Sequence, residues 1–198
     1  MRHPLRCPLV NRLRPDNASL NDLIKHAMGY AEFSMKKLGR VPPTLFVQTP
    51  GGIAVYFPET MGNEKAKNNF ANTSRLIAVA YGATATAMVL ESWITRAKPG
   101  RELDESVPPS QSPDREECVV IQAESVGISK TRIWPIERNT KGKFTGFGGA
   151  DDLEQAKGRF SEIMPQKPQT DENRKMAKQL LMMMGVVPEE MGFNPMWN

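Results

Sequence analysis

The sequence predicts a single α+β domain built on an antiparallel sheet of about five strands, in the order α-ββ-α-βββ-α-α. Three observations lead there. Its 198 residues suit one hydrophobic core. Hydrophobic residues at 39% and charged residues at 24% describe a chain that folds. Helical spacing near both ends encloses short β-favouring runs that are separated by glycine and proline.

The first helix follows Ser19, where Leu20, Leu23, Ile24, Ala27, Ala31, Met35 and Leu38 recur every three or four residues. Ser19 suits the N-cap, and Gly39 suits the left-handed stop. Val41-Pro42-Pro43 forces an extended exit, because proline fixes its own φ and restrains the residue before it. Thr44–Gln48 and Ile53–Phe57 form a hairpin across Thr49-Pro50-Gly51-Gly52. A second helix from Asn63 to Tyr81 stops at Gly82. The segment from Ala83 to Ile94 fits helix or strand; Thr84 and Thr86 and the run Met88-Val89-Leu90 favour a central strand.

A polar, proline-rich loop over 95–115 leads to strands at Glu117–Glu124 and Ile128–Arg138, with Pro135 marking an edge or a bulge. Lys143–Phe147 adds a short strand. Asp151–Met164 begins with acids and reads as a third helix. Thr170 caps a fourth helix through Met184, closed by Gly185. The chain thus divides into a basic arm (1–18), an α+β domain (19–165) and a C-terminal helix with an apolar tail (166–198).

The run YGATATAMVLESW at 81–93, followed by PSQSPDREE at 109–117, resembles a pattern in small bacterial and phage-type α+β proteins. The resemblance covers about residues 19–138 and implies the fold but no catalytic residue. The element order also resembles that of roadblock, profilin and JAB-type domains, a topological likeness that carries no function.

The net charge of +4 is unevenly spread. Arg2, Arg6, Arg12 and Arg14 make the arm basic, and Lys130, Arg132, Arg138, Lys141 and Lys143 face only Glu137 between 128 and 143. No apolar run reaches the roughly 20 residues of a membrane span, and no secretory signal is evident, so the expected location is cytoplasmic. Two histidines, His3 and His26, and two distant cysteines, Cys7 and Cys118, exclude the ligand spacings of JAB-type metalloproteases and zinc deaminases. Cys118 lies in an apolar run and reads as a buried thiol, and His26 as a residue at the edge of the helical stripe. Phosphate-loop signatures are missing, and GFGG at 146–149 precedes two aspartates that repel an anion. No cofactor or metal site is expected.

Three candidate surfaces remain. Glu91 interrupts an apolar strand while Asp114, Arg115, Glu116 and Glu117 end the long loop, so these acids, with Glu124, are placed to converge for acid/base work or Mg²⁺ binding. The plainer reading is an Arg115–Glu91 ion pair that fastens the loop. Lys130, Arg132, Trp134 and Arg138, with Lys141 and Lys143, form a basic strand face suited to nucleic acid or to guarding a sheet edge. Met176, Leu180 and Met184 repeat at four-residue spacing, and Met191, Phe193, Met196 and Trp197 follow, a soft surface suited to core packing or a partner. That tail is expected to dock on its own domain or, by preference, on a neighbouring subunit. The favoured reading is a non-enzymatic interaction or regulatory protein that self-associates; the alternatives are a nucleic-acid-binding accessory protein and a carboxylate-dependent hydrolase.

Overall fold

Glycine ends each of the three α-helices among the described residues, and in two cases the backbone shows why. The computed structural model describes residues 20–96, 100, 106–153 and 158–186. Helix α1 (Leu20–Leu38) closes with the Gly39 amide on the Met35 carbonyl at 3.0 Å. Helix α2 (Glu64–Ala80) ends where Gly82 donates to Val79 at 3.2 Å and Ala83 to Ala78 at 2.9 Å. Helix α3 (Asp171–Met183) repeats the pattern, with Gly185 donating to Met182 at 3.0 Å and Val186 to Leu181 at 2.9 Å. Both are Schellman turns, and both need the positive φ found at Gly82 (59°) and Gly185 (74°). At the other ends, Asn63 accepts from the Ala66 amide and Thr170 from the Asn173 amide. Ser19, the expected cap of α1, lies outside the described residues, as do most of the arm-side and tail-side candidates: His3, Cys7, Met191, Phe193, Met196 and Trp197.

Seven strands build one antiparallel sheet: β1 (Thr44–Thr49), β2 (Gly52–Tyr56), β3 (Ala85–Thr95), β4 (Arg115–Ser125), β5 (Ile128–Arg138), β6 (Phe144–Phe147) and β7 (Asp151–Leu153). Their spatial order is β2-β1-β3-β4-β5, with β6 and β7 both lying along β5. The ambiguous segment is therefore a strand, and a central one, paired with β1 from Thr44↔Val89 and with β4 from Ala85↔Ser125 to Thr95↔Arg115. Pro135 is not on an edge. Its carbonyl accepts from Gly148 at 2.9 Å, so its missing N–H also faces the β6 and β7 side, in the gap between those two strands.

Alternation along the strands gives the sheet two apolar faces. Val89, Ala87, Val119, Ile121 and Ala123 meet Leu23, Ile24, Ala27 and Met35 of α1. Leu45, Val47 and Met88 meet Phe70, Ile77 and Ala78 of α2 on the other side, and α3 packs outside α2 through Ala177 and Leu181. No helix of the described residues is long and apolar enough to cross a membrane.

The expected helix over Asp151–Met164 is not formed. Asp151 and Asp152, which suggested a helix N-terminus, lie in β7 and serve arginines instead: Asp151 pairs with Arg96 and Asp152 with Arg132. Residues 158–164 are irregular, and their backbone is satisfied by two distant side chains. Buried Glu124 accepts from the Glu162 amide at 2.7 Å and the Met164 amide at 2.9 Å. Arg75 of α2 donates to the carbonyls of Arg159, Ser161 and Glu162. This clamp holds Ile163 and Met164 in the interior.

Candidate functional site

Past the C-terminal end of α1, the sheet face that α1 covers turns from apolar to charged. The β3/β4 register sets Glu91 opposite Val119 and Trp93 opposite Glu117, so Glu91, Trp93 and Glu117 share that face. Arg138 reaches Glu117 through Nε at 2.6 Å and Nη2 at 2.8 Å, a two-pronged pair that ties the end of β5 to β4. Glu91 accepts from the Val41 amide at 2.8 Å, which joins the exit of α1 to the same cluster.

The two carboxylates are driven apart. Burial pushes Glu91 above the ordinary range, with the neighbouring Glu117 adding to the rise against the Val41 amide and Arg138. Arg138 holds Glu117 below it. Two neighbouring carboxyls with pKa values pushed in opposite directions are an arrangement that acid/base chemistry uses, and structural ion-pair networks produce it too. Glu91 also borders an open cleft of about 460 Å³ walled by Arg40, Val41, Pro42, Pro43, Glu59 and Thr60.

The other expected members of the cluster are elsewhere or otherwise engaged. Glu116 pairs with Arg96, and Glu124 sits at the far end of β4 in the backbone clamp. Arg115 does not pair with Glu91; it lies over the Trp93 ring at 4.9 Å and donates to the Ser110 carbonyl at 3.1 Å, contacts that fasten the described end of the loop. The Asp114 amide donates to the Ser112 hydroxyl oxygen. Among the described residues no group of three His, Cys, Asp or Glu side chains is arranged to hold a metal. Cys118 is buried, its thiol pushed up to about 11 mainly by desolvation. His26 is buried as well, edge-on to Phe46, and burial lowers its pKa.

The basic strand face is largely spent inside the chain. Lys130 donates to Asn21 at 2.9 Å, Arg132 makes a two-pronged pair with Asp152, and Arg138 is held by Glu117. Trp134 packs against the α1 core and lines a cleft of about 380 Å³ with Phe144, Phe147 and Met28. Lys141 and Lys143, near the tight turn between β5 and β6, are exposed. Such an arrangement leaves little of a continuous phosphate-tracking surface.

The third surface is the most unusual one. On α3 only Ala177 and Leu181 are buried, whereas Met176 is 55% exposed, Leu180 42%, Met183 83% and Met184 48%. At 3.6 residues per turn those four side chains form one continuous stripe beside the buried edge, and Met182 points to the other side of the helix. The sequence spacing of Met176, Leu180 and Met184 indicated the stripe, but it did not tell which apolar positions α2 covers. Comparison with protein-family models, curated proteins and solved structures finds no match.

Proposed function

We propose that this protein is a non-enzymatic interaction protein that self-associates through the α3 stripe of Met176, Leu180, Met183 and Met184. The observation that carries the reading is their joint exposure on a helix that buries only two small-to-medium side chains. Water-facing apolar stripes of this kind are uncommon on monomers, and methionine's flexible thioether suits it to adaptable protein contacts. Covering each half-exposed side chain contributes roughly 1 kcal/mol. Leu180→Lys with Met183→Lys therefore removes about 4 kcal/mol across two copies, enough to abolish a micromolar association. Sedimentation from low to high micromolar concentration tests this: the parent mass rises with concentration and the double variant stays monomeric. Equal masses for both at every concentration reject the reading.

A second reading, carboxylate-based hydrolysis, is supported by the opposed proton preferences of Glu91 and Glu117 beside an open cleft. Against it, Arg138 donates to both oxygens of Glu117, as a structural ion pair does. Hydrolysis of generic ester and phosphoester substrates by the parent, lost in Glu91→Gln, would restore it.

A further inference from the structure

We infer that the aromatic cleft between α1 and β6 binds a nucleobase carrying a phosphate, as a free nucleotide or as one unit of a single-stranded nucleic acid. The cleft lies on the α1 face of the sheet, whereas α3 packs on the α2 side, so this site stands apart from the association reading. Phe144 and Phe147 are three residues apart, and in a regular strand they would face opposite ways. The bulge in the β5/β6 register prevents that: Ile136 pairs with Phe147 and Arg138 with Phe144, which aims both rings at the α1 face. There they meet edge to face at 4.9 Å and, with Trp134 and the Met28 thioether, wall the open cleft of about 380 Å³. All four side chains are half-buried, so the core does not consume them.

Shape and charge decide the ligand. A cleft of this size suits a base with its sugar, and every base offers a flat π-face to such rings. Lys36, in the last turn of α1, stands in the cleft wall with its side chain 62% exposed. It pairs with Glu32 one turn back, an exposed pair of little net worth, so its ammonium is free to turn to a phosphate. Lys143, exposed immediately before Phe144, adds a second cation, while Glu137 alternates with Ile136 and faces the opposite side of the sheet. That balance favours an anionic guest over a cationic one. Because Lys130, Arg132 and Arg138 are engaged in internal pairs, the cleft takes a single nucleotide and the strand does not extend the track.

The test uses the full chain labelled with ¹³C-methyl methionine, titrated separately with adenosine monophosphate, adenosine, inorganic phosphate and a single-stranded oligoadenylate. Met28 reports the cleft, and the buried methyls of Met35 and Met88 serve as controls for folding. The nucleotide displaces the Met28 methyl by ring current, to saturation, while the two controls stay in place. Adenosine binds about tenfold more weakly, and Lys36→Gln removes that difference at an unchanged melting temperature. Phe144→Leu weakens nucleotide and nucleoside alike, by about tenfold. Tighter binding of the oligoadenylate than of the nucleotide identifies nucleic acid as the source of the base; equal or weaker binding identifies a free nucleotide. A Met28 methyl that stays in place in all four titrations up to millimolar concentration overturns the proposal. Equal affinity for nucleotide and nucleoside in the parent, or an equal displacement by phosphate alone, overturns it as well.

Discussion

Replacing Glu124 by alanine should unfasten residues 158–164 and lower global stability, because its carboxylate accepts the amides of both Glu162 and Met164. Glu124 is 5% exposed and receives the Glu162 and Met164 amides at 2.7 and 2.9 Å, with Gln122 adding a third, longer bond at 3.2 Å. An unsatisfied buried amide costs about 1 to 3 kcal/mol, so the pair costs about 2 to 6 kcal/mol before any water enters the vacated space. A loss near 3 kcal/mol with a urea dependence of about 2 kcal/mol per molar moves the unfolding midpoint down by about 1.5 M. Glu124→Gln keeps one acceptor oxygen but turns an amide donor toward a backbone N–H, and about half of that loss is expected. Equilibrium urea unfolding supplies the midpoints, and hydrogen exchange at residues 158–164 shows whether the segment is freed first. A midpoint for Glu124→Ala within about 0.2 M of the parent would refute the clamp.

Three more perturbations follow from the same geometry. Burial raises the pKa of Glu91, so its contribution to stability is complete below the ordinary value of 4.5 and is lost as pH rises through the folded value. Glu91→Gln, which stays neutral and can still accept from Val41, should melt with the parent near pH 4 and above it near pH 7; a lower melting temperature at pH 7 contradicts this. Burial lowers the pKa of His26 below 6.5, so the unfolded chain takes up the proton first and parent stability declines as pH falls below that value. Melting curves of His26→Leu should be flatter between pH 7 and pH 5, and an equal slope in both proteins would count against a neutral buried imidazole. Gly82 and Gly39 both have positive φ, and each alanine substitution should cost about 1 to 2 kcal/mol. A new Cβ at Gly82 lies 3.3 Å from the Arg174 guanidinium, the movable end of a half-exposed side chain, and the space at Gly39 is open, so the two costs should be similar; calorimetry that finds no loss at either position rejects the backbone argument.

Local chemistry made much of the fold legible. Gly39, Gly82 and Gly185 marked the helix ends because positive φ is a property of single residues, and Asn63 and Thr170 lie where short polar side chains reach a first-turn amide. Thr84, Thr86 and the apolar run that follows were enough to choose a strand for β3. The missed feature was non-local. Asp151 and Asp152 have the same appearance at a helix start as on a strand beside Arg96 and Arg132, and only the β5/β7 pairing separates the two. Glu124 and Arg75 gave no sign that they serve a segment 38 and 84 to 87 residues away. For the candidate site, the meeting of Glu91 with Glu117 was foreseeable once β3 and β4 were paired. The pairing of Arg138 with Glu117, and the absence of the expected Arg115–Glu91 pair, were not, because the first depends on β5 adding to the far side of β4.

Methionine oxidation by hydroxyl radicals offers the most direct test of the α3 interface, since the helix carries its own control. With increasing concentration, Met176, Met183 and Met184 should become protected together while Met182, 62% exposed on the other side of the helix, keeps its rate. Uniform rates for all four methionines from low to high micromolar concentration would contradict the claim that α3 is the surface through which this protein associates.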